Sequence, residues 1–134
     1  MKQNIDAEML YEEFAKKMFK CKGVFNDCVN VIYEYSDKIL SMKYAPISYK
    51  FASCVSKLNS DGLMNQEKYD LIIKAHGNVV IKYGDSECNY WFISFVKGAD
   101  IEKHREVIRE NGDLRLDSAF EKNSKVKTKV KKLG

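Results

Sequence analysis

The sequence contains little proline and no long apolar segment. Only one of its 134 residues is proline, while 45% are apolar and 12% are aromatic, a composition typical of a folded globular domain and not of a disordered chain. No apolar run approaches the roughly 18 residues of a membrane-spanning helix, and the first residues lack the apolar core of a secretory signal. We therefore expect a cytoplasmic protein with no membrane partner.

Motifs that usually carry catalysis are also missing. The sequence has no glycine-rich phosphate loop, no nucleophile elbow and no histidine pair at helical spacing. Catalysis by a cysteine–histidine pair would require a cysteine to meet His76 or His104 in space, and no spacing indicates such a meeting. We therefore predict that the chain is not an enzyme and needs no cofactor.

Cysteines are few, and their spacing does not fit a metal site. The four are Cys21, Cys28, Cys54 and Cys88. Six residues separate the first two, whereas the cysteine pairs of zinc-binding motifs are typically about two to four residues apart. We predict that all four are reduced, that most are buried packing residues, and that they bind no structural metal.

Four segments in the first part of the chain have the apolar spacing of amphipathic helices, with inward positions that recur every three or four residues. We expect these helices over about 4–20, 24–42, 49–58 and 65–76. Asn65 is a typical N-cap for the fourth helix, and Gly77 is expected to end that helix in a left-handed conformation.

The segment 78–98, NVVIKYGDSECNYWFISFVKG, is predicted to form a β-hairpin. β-Branched and aromatic runs flank the turn-forming residues 84–87. Alternation along the second strand places Trp91 on one face with Ile93 and Phe95. Because both faces of this strand are largely apolar, we expect it to be covered on both sides and Trp91 to be buried.

A fifth helix and a third strand complete the predicted fold. Asp100 is expected to cap the helix, and residues 113–117 alternate as in a short strand. With strand 90–97, these elements would form a βαβ unit. The predicted fold class is therefore α+β, with four N-terminal helices packed on a small C-terminal sheet layer built from the β-hairpin and the β-α-β unit. We expect one domain over 1–121, followed by a basic C-terminal tail over 122–134.

Positive charge is concentrated in that tail. It contains six lysines and no acidic residue: Lys122, Lys125, Lys127, Lys129, Lys131 and Lys132. The whole chain has 23 basic and 19 acidic residues and a formal charge of +4, so residues 1–121 keep 17 basic residues against all 19 acids, a charge of −2. The basic character therefore belongs to the tail, where lysines can contact phosphates and gain from counterion release.

The predicted order of helix 49–58, a turn, helix 65–76 and a hairpin is also that of a winged-helix DNA-binding domain. The second of these helices would face DNA with side chains whose charges cancel: Gln66, Glu67, Lys68, Asp70 and Lys74. The wing tip would carry Asp85 and Glu87, which phosphates repel. A winged-helix DNA-binding regulator is therefore the lesser alternative.

A metal-dependent nuclease of the restriction-enzyme type would also use a hairpin, a helix and a strand. It needs an acidic residue two positions before the lysine of the central strand, but Phe95 stands there before Lys97. Asp85 and Glu87 lie on the wrong side of the strand to replace it. Mg²⁺ would have no protein anchor, which disfavours this function.

Two classes of function remain. The leading hypothesis is a non-enzymatic binding protein that associates with nucleic acid or a nucleoprotein complex through the six tail lysines. The alternative is a protein-binding inhibitor or adaptor of the kind that mobile elements such as phages encode against a host enzyme, which the compact size and abundant aromatic residues favour. A tail that serves only solubility is left open, and the sequence predicts no oligomeric state.

Removal of residues 122–134 should leave stability nearly unchanged and abolish nucleic-acid binding at moderate salt. The deleted segment carries six positive charges and little apolar area, while residues 1–121 are net acidic. For the intact protein, log affinity should fall with log salt at a slope no steeper than about −0.9 per phosphate contacted. A salt titration of both proteins against one duplex and one single strand measures this.

Equal affinities of the intact and shortened proteins would remove the tail from the mechanism. No measurable binding by the intact protein, even at low salt, would favour the protein-partner hypothesis.

Overall fold

The computed structural model describes residues 2–21, 25–60, 62 and 64–119, and nearly all of these are helical. Seven helices follow one another in this part of the chain: α1 (Lys2–Lys20), α2 (Phe25–Met42), α3 (Ala45–Asn59), α4 (Gln66–Tyr83), α5 (Ser86–Phe95), α6 (Ile101–Glu110) and a short α7 (114–119). The described residues contain no strand. None of their helices is both long and apolar enough to cross a lipid bilayer.

The predicted α+β fold is wrong, because the segments expected to form the sheet layer are helical. The first expected strand belongs to α4, which does not end at His76 but continues through Gly77 to Tyr83. The second expected strand is α5, and the third, at 113–117, falls largely within α7. The described part of the domain is therefore a helical bundle.

Residues 88–96 have a helical period that their nearly continuous apolar character conceals. Cys88, Phe92 and Val96 recur at four-residue spacing and are buried, whereas Trp91 and Phe95 are exposed. A short apolar run fits a strand covered on both sides and a buried helix equally well by composition. The pattern of burial is that of one helix face packed on the core.

Capping residues at the junction of α4 and α5 explain why two helices form there. Gly84 ends α4 in the left-handed region at φ 82°, and its N–H bonds to the Val80 carbonyl. Asp85 then caps α5 by accepting a hydrogen bond from the Cys88 N–H at 2.8 Å. The predicted hairpin turn is therefore a helix–helix junction, in which one residue ends a helix and the next begins another.

Gly77 lies inside α4 because a neighbouring helix pair packs closely there. A Cβ at this position would meet His104 Nε2 at 3.3 Å and the Phe92 ring at 3.4 Å. Glycine weakens a helix interior by about 1 kcal/mol relative to alanine, so local propensity alone predicts a helix end at this residue. The missing side chain lets α5 and α6 approach α4, and this packing overrides the propensity.

Helix α3 is the centre of the bundle and contacts α1, α2, α4 and α5. Seven of its residues are buried: Ala45, Ile47, Ser48, Phe51, Ala52, Val55 and Ser56. The centroid of the Phe51 ring lies 4.8 Å from that of Phe14 in α1 and 4.7 Å from that of His76 in α4. Pro46 occupies the first turn, where its missing N–H removes no helical hydrogen bond. The hydrophobic core therefore forms around one buried helix.

His76 joins α2, α3 and α4 as a buried, neutral ring. It stacks on Phe51 of α3, and its Nε2 lies 3.1 Å from Ser36 Oγ of α2. Burial lowers the pKa of His76 to about 3. Its Nδ1 is buried and has no hydrogen-bond partner among the described residues, so a protonated ring would also leave one N–H unpaired.

His104 makes the corresponding link between α4, α5 and α6. It stacks on Phe92 with centroids 4.6 Å apart, and its Nδ1 lies 2.7 Å from Asn89 Oδ1. The amide nitrogen of Asn89 donates to the carbonyls of Val80 and Asp85. Because that nitrogen already has two acceptors, the Asn89 oxygen faces the imidazole, and His104 donates from Nδ1. Burial lowers the pKa of His104 to about 4, so this ring is also neutral at pH 7.

Specific contacts hold the segments on either side of α6. The Tyr69 hydroxyl donates to the Lys97 carbonyl at 2.7 Å, and the Lys97 N–H donates to Ser56 Oγ at 3.0 Å. After α6, Asp117 of α7 accepts a hydrogen bond from Arg105 Nε at 2.8 Å. That guanidinium holds the pKa of the Asp117 carboxyl below its ordinary value, so the pair stays ionised and ties α7 to α6.

Two capping predictions are confirmed. Asn65 accepts hydrogen bonds from the N–H groups of Glu67 and Lys68 at the start of α4. Asp100 accepts one from the Lys103 N–H at the start of α6. A polar capping residue therefore predicts the start of a helix correctly, even for α4, whose predicted end at residue 76 is wrong.

Stability should fall as the pH drops below about 6.5, because both histidines are neutral in the fold. The unfolded chain binds a proton on each histidine at the ordinary pKa of about 6.5, whereas the folded values are about 3 for His76 and about 4 for His104. Each extra proton bound by the unfolded state changes the free energy of unfolding by about 1.4 kcal/mol per pH unit. We expect urea unfolding to show a limiting slope of about 2.7 kcal/mol per pH unit.

Carboxylates titrate mostly below about pH 5, so the slope above that pH reports the histidines. The variant His76→Phe should halve the slope, whatever it does to the total stability. A wild-type stability that stays constant between about pH 6.5 and about pH 5.5 would contradict the burial of two neutral imidazoles.

Candidate functional site

The lysines predicted to bind nucleic acid all lie outside the described residues: Lys122, Lys125, Lys127, Lys129, Lys131 and Lys132. The boundary predicted between a domain over 1–121 and a tail lies outside them as well. Both statements stay predictions.

The winged-helix alternative depends on a hairpin that the described part of the chain does not contain. Asp85 and Glu87, expected at the tip of a wing, are instead the N-cap and a first-turn residue of α5. The nuclease frame fails for the same reason, since Phe95 is the last residue of a helix and not a strand residue. Neither DNA-directed arrangement therefore has its structural basis.

Three aromatic side chains of α5 form the clearest candidate for a binding surface. We name it the aromatic surface, and it consists of Tyr90, Trp91 and Phe95. Trp91 is 42% exposed and Phe95 is 54% exposed, although both side chains are large and apolar. Their rings stack with centroids 5.4 Å apart and planes 14° from parallel, and the Tyr90 ring meets Trp91 edge-on at 5.2 Å. The prediction that Trp91 is buried is therefore wrong.

The wrong period explains the wrong burial of Trp91. In a strand, Trp91 would share a face with Ile93 and lie opposite Phe92. In α5, Phe92 and Ile93 are both buried, while Trp91 and Phe95 are four residues apart and lie together on the outer side. A signal for this was present in the sequence, because Glu87 starts the same four-residue series with a charged side chain.

A groove of about 910 Å³ lies at the start of α5, the helix that carries the aromatic surface. One wall is the junction of α4 and α5, residues 84–87, and the other is the segment 111–116 that joins α6 to α7. Glu87 lines the groove and lies one helical turn before Trp91 on the same side of α5. Leu114, on the opposite wall, is 69% exposed. The groove therefore also presents an exposed apolar side chain.

The charge around the groove is mainly negative. Three acidic side chains line it, Asp85, Glu87 and Asp113, together with a single basic one, Arg115. Such a rim repels phosphates and attracts basic side chains. A partner that covers the aromatic surface is therefore expected to carry lysine or arginine next to its apolar contacts.

A second cavity, of about 350 Å³, lies between α4 and the start of α6. Its lining includes His104, whose Nε2 lies next to Gly77. Because His104 donates from Nδ1, Nε2 keeps a lone pair that can accept a hydrogen bond. Asp70, Lys74, Asp100 and Lys103 also line the cavity and balance one another in charge.

This cavity offers weak support for catalysis. The described residues that line it include no serine, threonine or cysteine for His104 to activate. With a pKa of about 4, the imidazole is neutral at pH 7 and would not act as a general acid there. Within the described ranges, no three histidine, cysteine or acidic side chains come together as a metal site.

Comparisons with known proteins add no assignment. No protein-family model matches this chain, and neither the curated proteins nor the solved structures include a significant match.

Trp91→Ala should cost much less stability than Phe92→Ala, although the two residues are neighbours. Phe92 is fully buried and contacts His104, so its loss should cost about 3–5 kcal/mol. Trp91 is 42% exposed, and its loss should cost less than about 2 kcal/mol, because much of its ring is already in water. Urea unfolding of both variants and the wild type gives the two differences.

Phe95→Ala serves as the matched control, since Phe95 is even more exposed than Trp91. It should behave like Trp91→Ala. Equal losses for Trp91→Ala and Phe92→Ala would mean that α5 does not have one buried and one exposed face.

Proposed function

We propose that the chain is a non-enzymatic protein-binding domain that docks on a partner through the aromatic surface of α5. The observation that carries this proposal is the exposed stack of Trp91 on Phe95. A soluble monomer gains nothing from leaving two adjacent large rings in water, and such patches are typical of interaction sites. This is the inhibitor-or-adaptor class of function.

The residue types support a protein partner more than a small molecule. Tryptophan and tyrosine are enriched among the residues that dominate binding energy in protein interfaces, because they offer a large contact area at low entropic cost. The rings lie on the exposed side of a helix, whereas small-molecule sites are concave. The acidic groove at one end supplies the polar rim that such interfaces usually have.

The way α5 is held also supports a binding role. Asp85 caps its start, Asn89 ties it to α4 and α6, and Phe92 fills the core beneath it. The exposed rings therefore project from a helix fixed at several points. A preorganised surface loses little conformational entropy on binding, which favours affinity.

A second proposal concerns the lysine tail and comes from the sequence alone. Six lysines without an acidic residue, over 122–134, favour nucleic acid or a nucleoprotein complex as a further partner. The two proposals concern different parts of the chain and do not exclude each other. The acidic rim beside the aromatic surface disfavours phosphates there and leaves the tail as the region for such contacts.

The test compares the wild type with a Trp91→Ala/Phe95→Ala variant. Each is immobilised and exposed to extract of the source cells, with and without nuclease, and bound proteins are identified by mass spectrometry. We expect a partner that the wild type retains after nuclease treatment and the variant loses. With the purified partner, calorimetry should show affinity at least about 100-fold weaker for the variant, since two dominant interface residues are removed.

Leu71→Ala is the matched control, because Leu71 is 64% exposed and lies on α4, a different helix from the aromatic surface. It should bind the partner as the wild type does. Equal binding by the wild type and the double variant would contradict the proposal. A partner that is lost on nuclease treatment but kept by the double variant would support the tail instead.

A further inference from the structure

Two cysteine thiols meet at the corner between α1 and α2. Cys21 directly follows the last residue of α1, and Cys28 lies in the first turns of α2. Their sulfur atoms are 3.1 Å apart, and both residues are free thiols. The other two cysteines, Cys54 and Cys88, lie on α3 and α5. Cys21 and Cys28 are therefore a thiol pair in direct contact within the described part of the chain.

We propose that Cys21 and Cys28 form a reversible dithiol–disulfide site that a small disulfide, such as oxidised glutathione, converts to the bonded form. This site is independent of the aromatic surface and of the proposed partner. The prediction that all four cysteines are reduced then applies to a reducing compartment. When the thiol pool is oxidised, Cys21 and Cys28 form a disulfide.

The geometry requires only a small movement. A disulfide places its sulfur atoms about 2.05 Å apart, so the two sulfurs need to approach by about 1 Å. Both residues are held by helical hydrogen bonding: the Cys21 N–H bonds to the Lys17 carbonyl at 3.1 Å, and Cys28 is inside α2. The pair is therefore brought together by the packing of α1 against α2.

The surroundings differ enough to order the chemical steps. Cys28 is buried, and its thiol donates to the Cys21 carbonyl at 3.0 Å. Burial, with the neighbouring Cys21, raises the pKa of the Cys28 thiol to about 11, so its thiolate is scarce at pH 7. Cys21 is only half-buried and is the thiol that an external disulfide can reach. Cys21 is therefore the attacking residue and Cys28 the resolving one.

Exchange with oxidised glutathione takes place in two steps. The Cys21 thiolate attacks one sulfur of oxidised glutathione, forms a mixed disulfide and releases one glutathione thiolate. Cys28 then loses its proton to solvent and attacks the Cys21 sulfur, which releases the second glutathione. The two protein thiols are oxidised to one disulfide, and one glutathione disulfide is reduced to two thiols.

The bond would fasten α1 to α2 covalently. Helix α1 supplies Phe14 to the core, where its ring lies 5.8 Å from that of Tyr35 in α2. Closing a short loop between the two helices removes freedom from the opened state and should slow the detachment of α1. We expect amide hydrogen exchange within α1 to be slower in the oxidised protein than in the reduced one.

The experiment incubates the native full-length protein with oxidised and reduced glutathione in varied ratio and stops the exchange with acid. The protein is then unfolded so that all free thiols, including the buried Cys88, are alkylated, and its peptides are mapped. Trypsin cleaves after Lys22, between the two cysteines, so a Cys21–Cys28 bond joins two peptides. We expect this linked pair in oxidising buffer, its loss on return to reduced glutathione, and alkylation of Cys54 and Cys88 throughout.

Two variants separate the roles. Cys28→Ser should accumulate glutathione on Cys21, because the resolving thiol is gone, and the control Cys54→Ser should form the link as the wild type does. Failure of native wild type to form the link, a link that forms only after urea is added, or Cys28→Ser without the adduct on Cys21 would each overturn the proposal.

Discussion

The close packing of α5 and α6 against α4 at Gly77 is the constraint on which the fold depends. The glycine leaves room for the Phe92 ring and for His104, which would lie 3.4 Å and 3.3 Å from a Cβ at this position. On the other side of α4, His76 stacks on Phe51 of the buried helix α3. The two imidazole–phenyl stacks, the hydrogen bond of His76 to Ser36 and the contacts at Gly77 together join five helices, α2 to α6. Both histidines are neutral at pH 7.

This packing also decides what the protein offers to a partner. Because Phe92, Cys88 and Ile93 face the core, the helical period leaves Trp91 and Phe95 together on the outer side of α5. The aromatic surface is thus a consequence of how the core is filled, and not a separate addition to it. The acidic groove follows from the same arrangement, since α7 is held beside α5 through α6 by the pair Asp117–Arg105.

Part of this could be predicted from the sequence. The apolar spacing gave helices near α1, α2 and α3, and Asn65 and Asp100 marked two helix starts correctly. The predicted sheet was wrong for two reasons. Local propensity predicts that a helix ends at Gly77, and the apolar run over 88–96 fits the period of a strand as well as that of a helix. The contact that justifies a glycine there, with His104, joins residues far apart in the chain, so no local pattern shows it.

The candidate site was missed for the same reason, since the period of one helix determines whether Trp91 is core or surface. Trp91 is the only tryptophan, so its fluorescence reports this directly. We predict red-shifted emission that acrylamide quenches readily in the native protein, with little further change on unfolding and with protection when a partner binds. Blue-shifted emission that acrylamide does not reach until the protein unfolds would contradict the exposed aromatic surface.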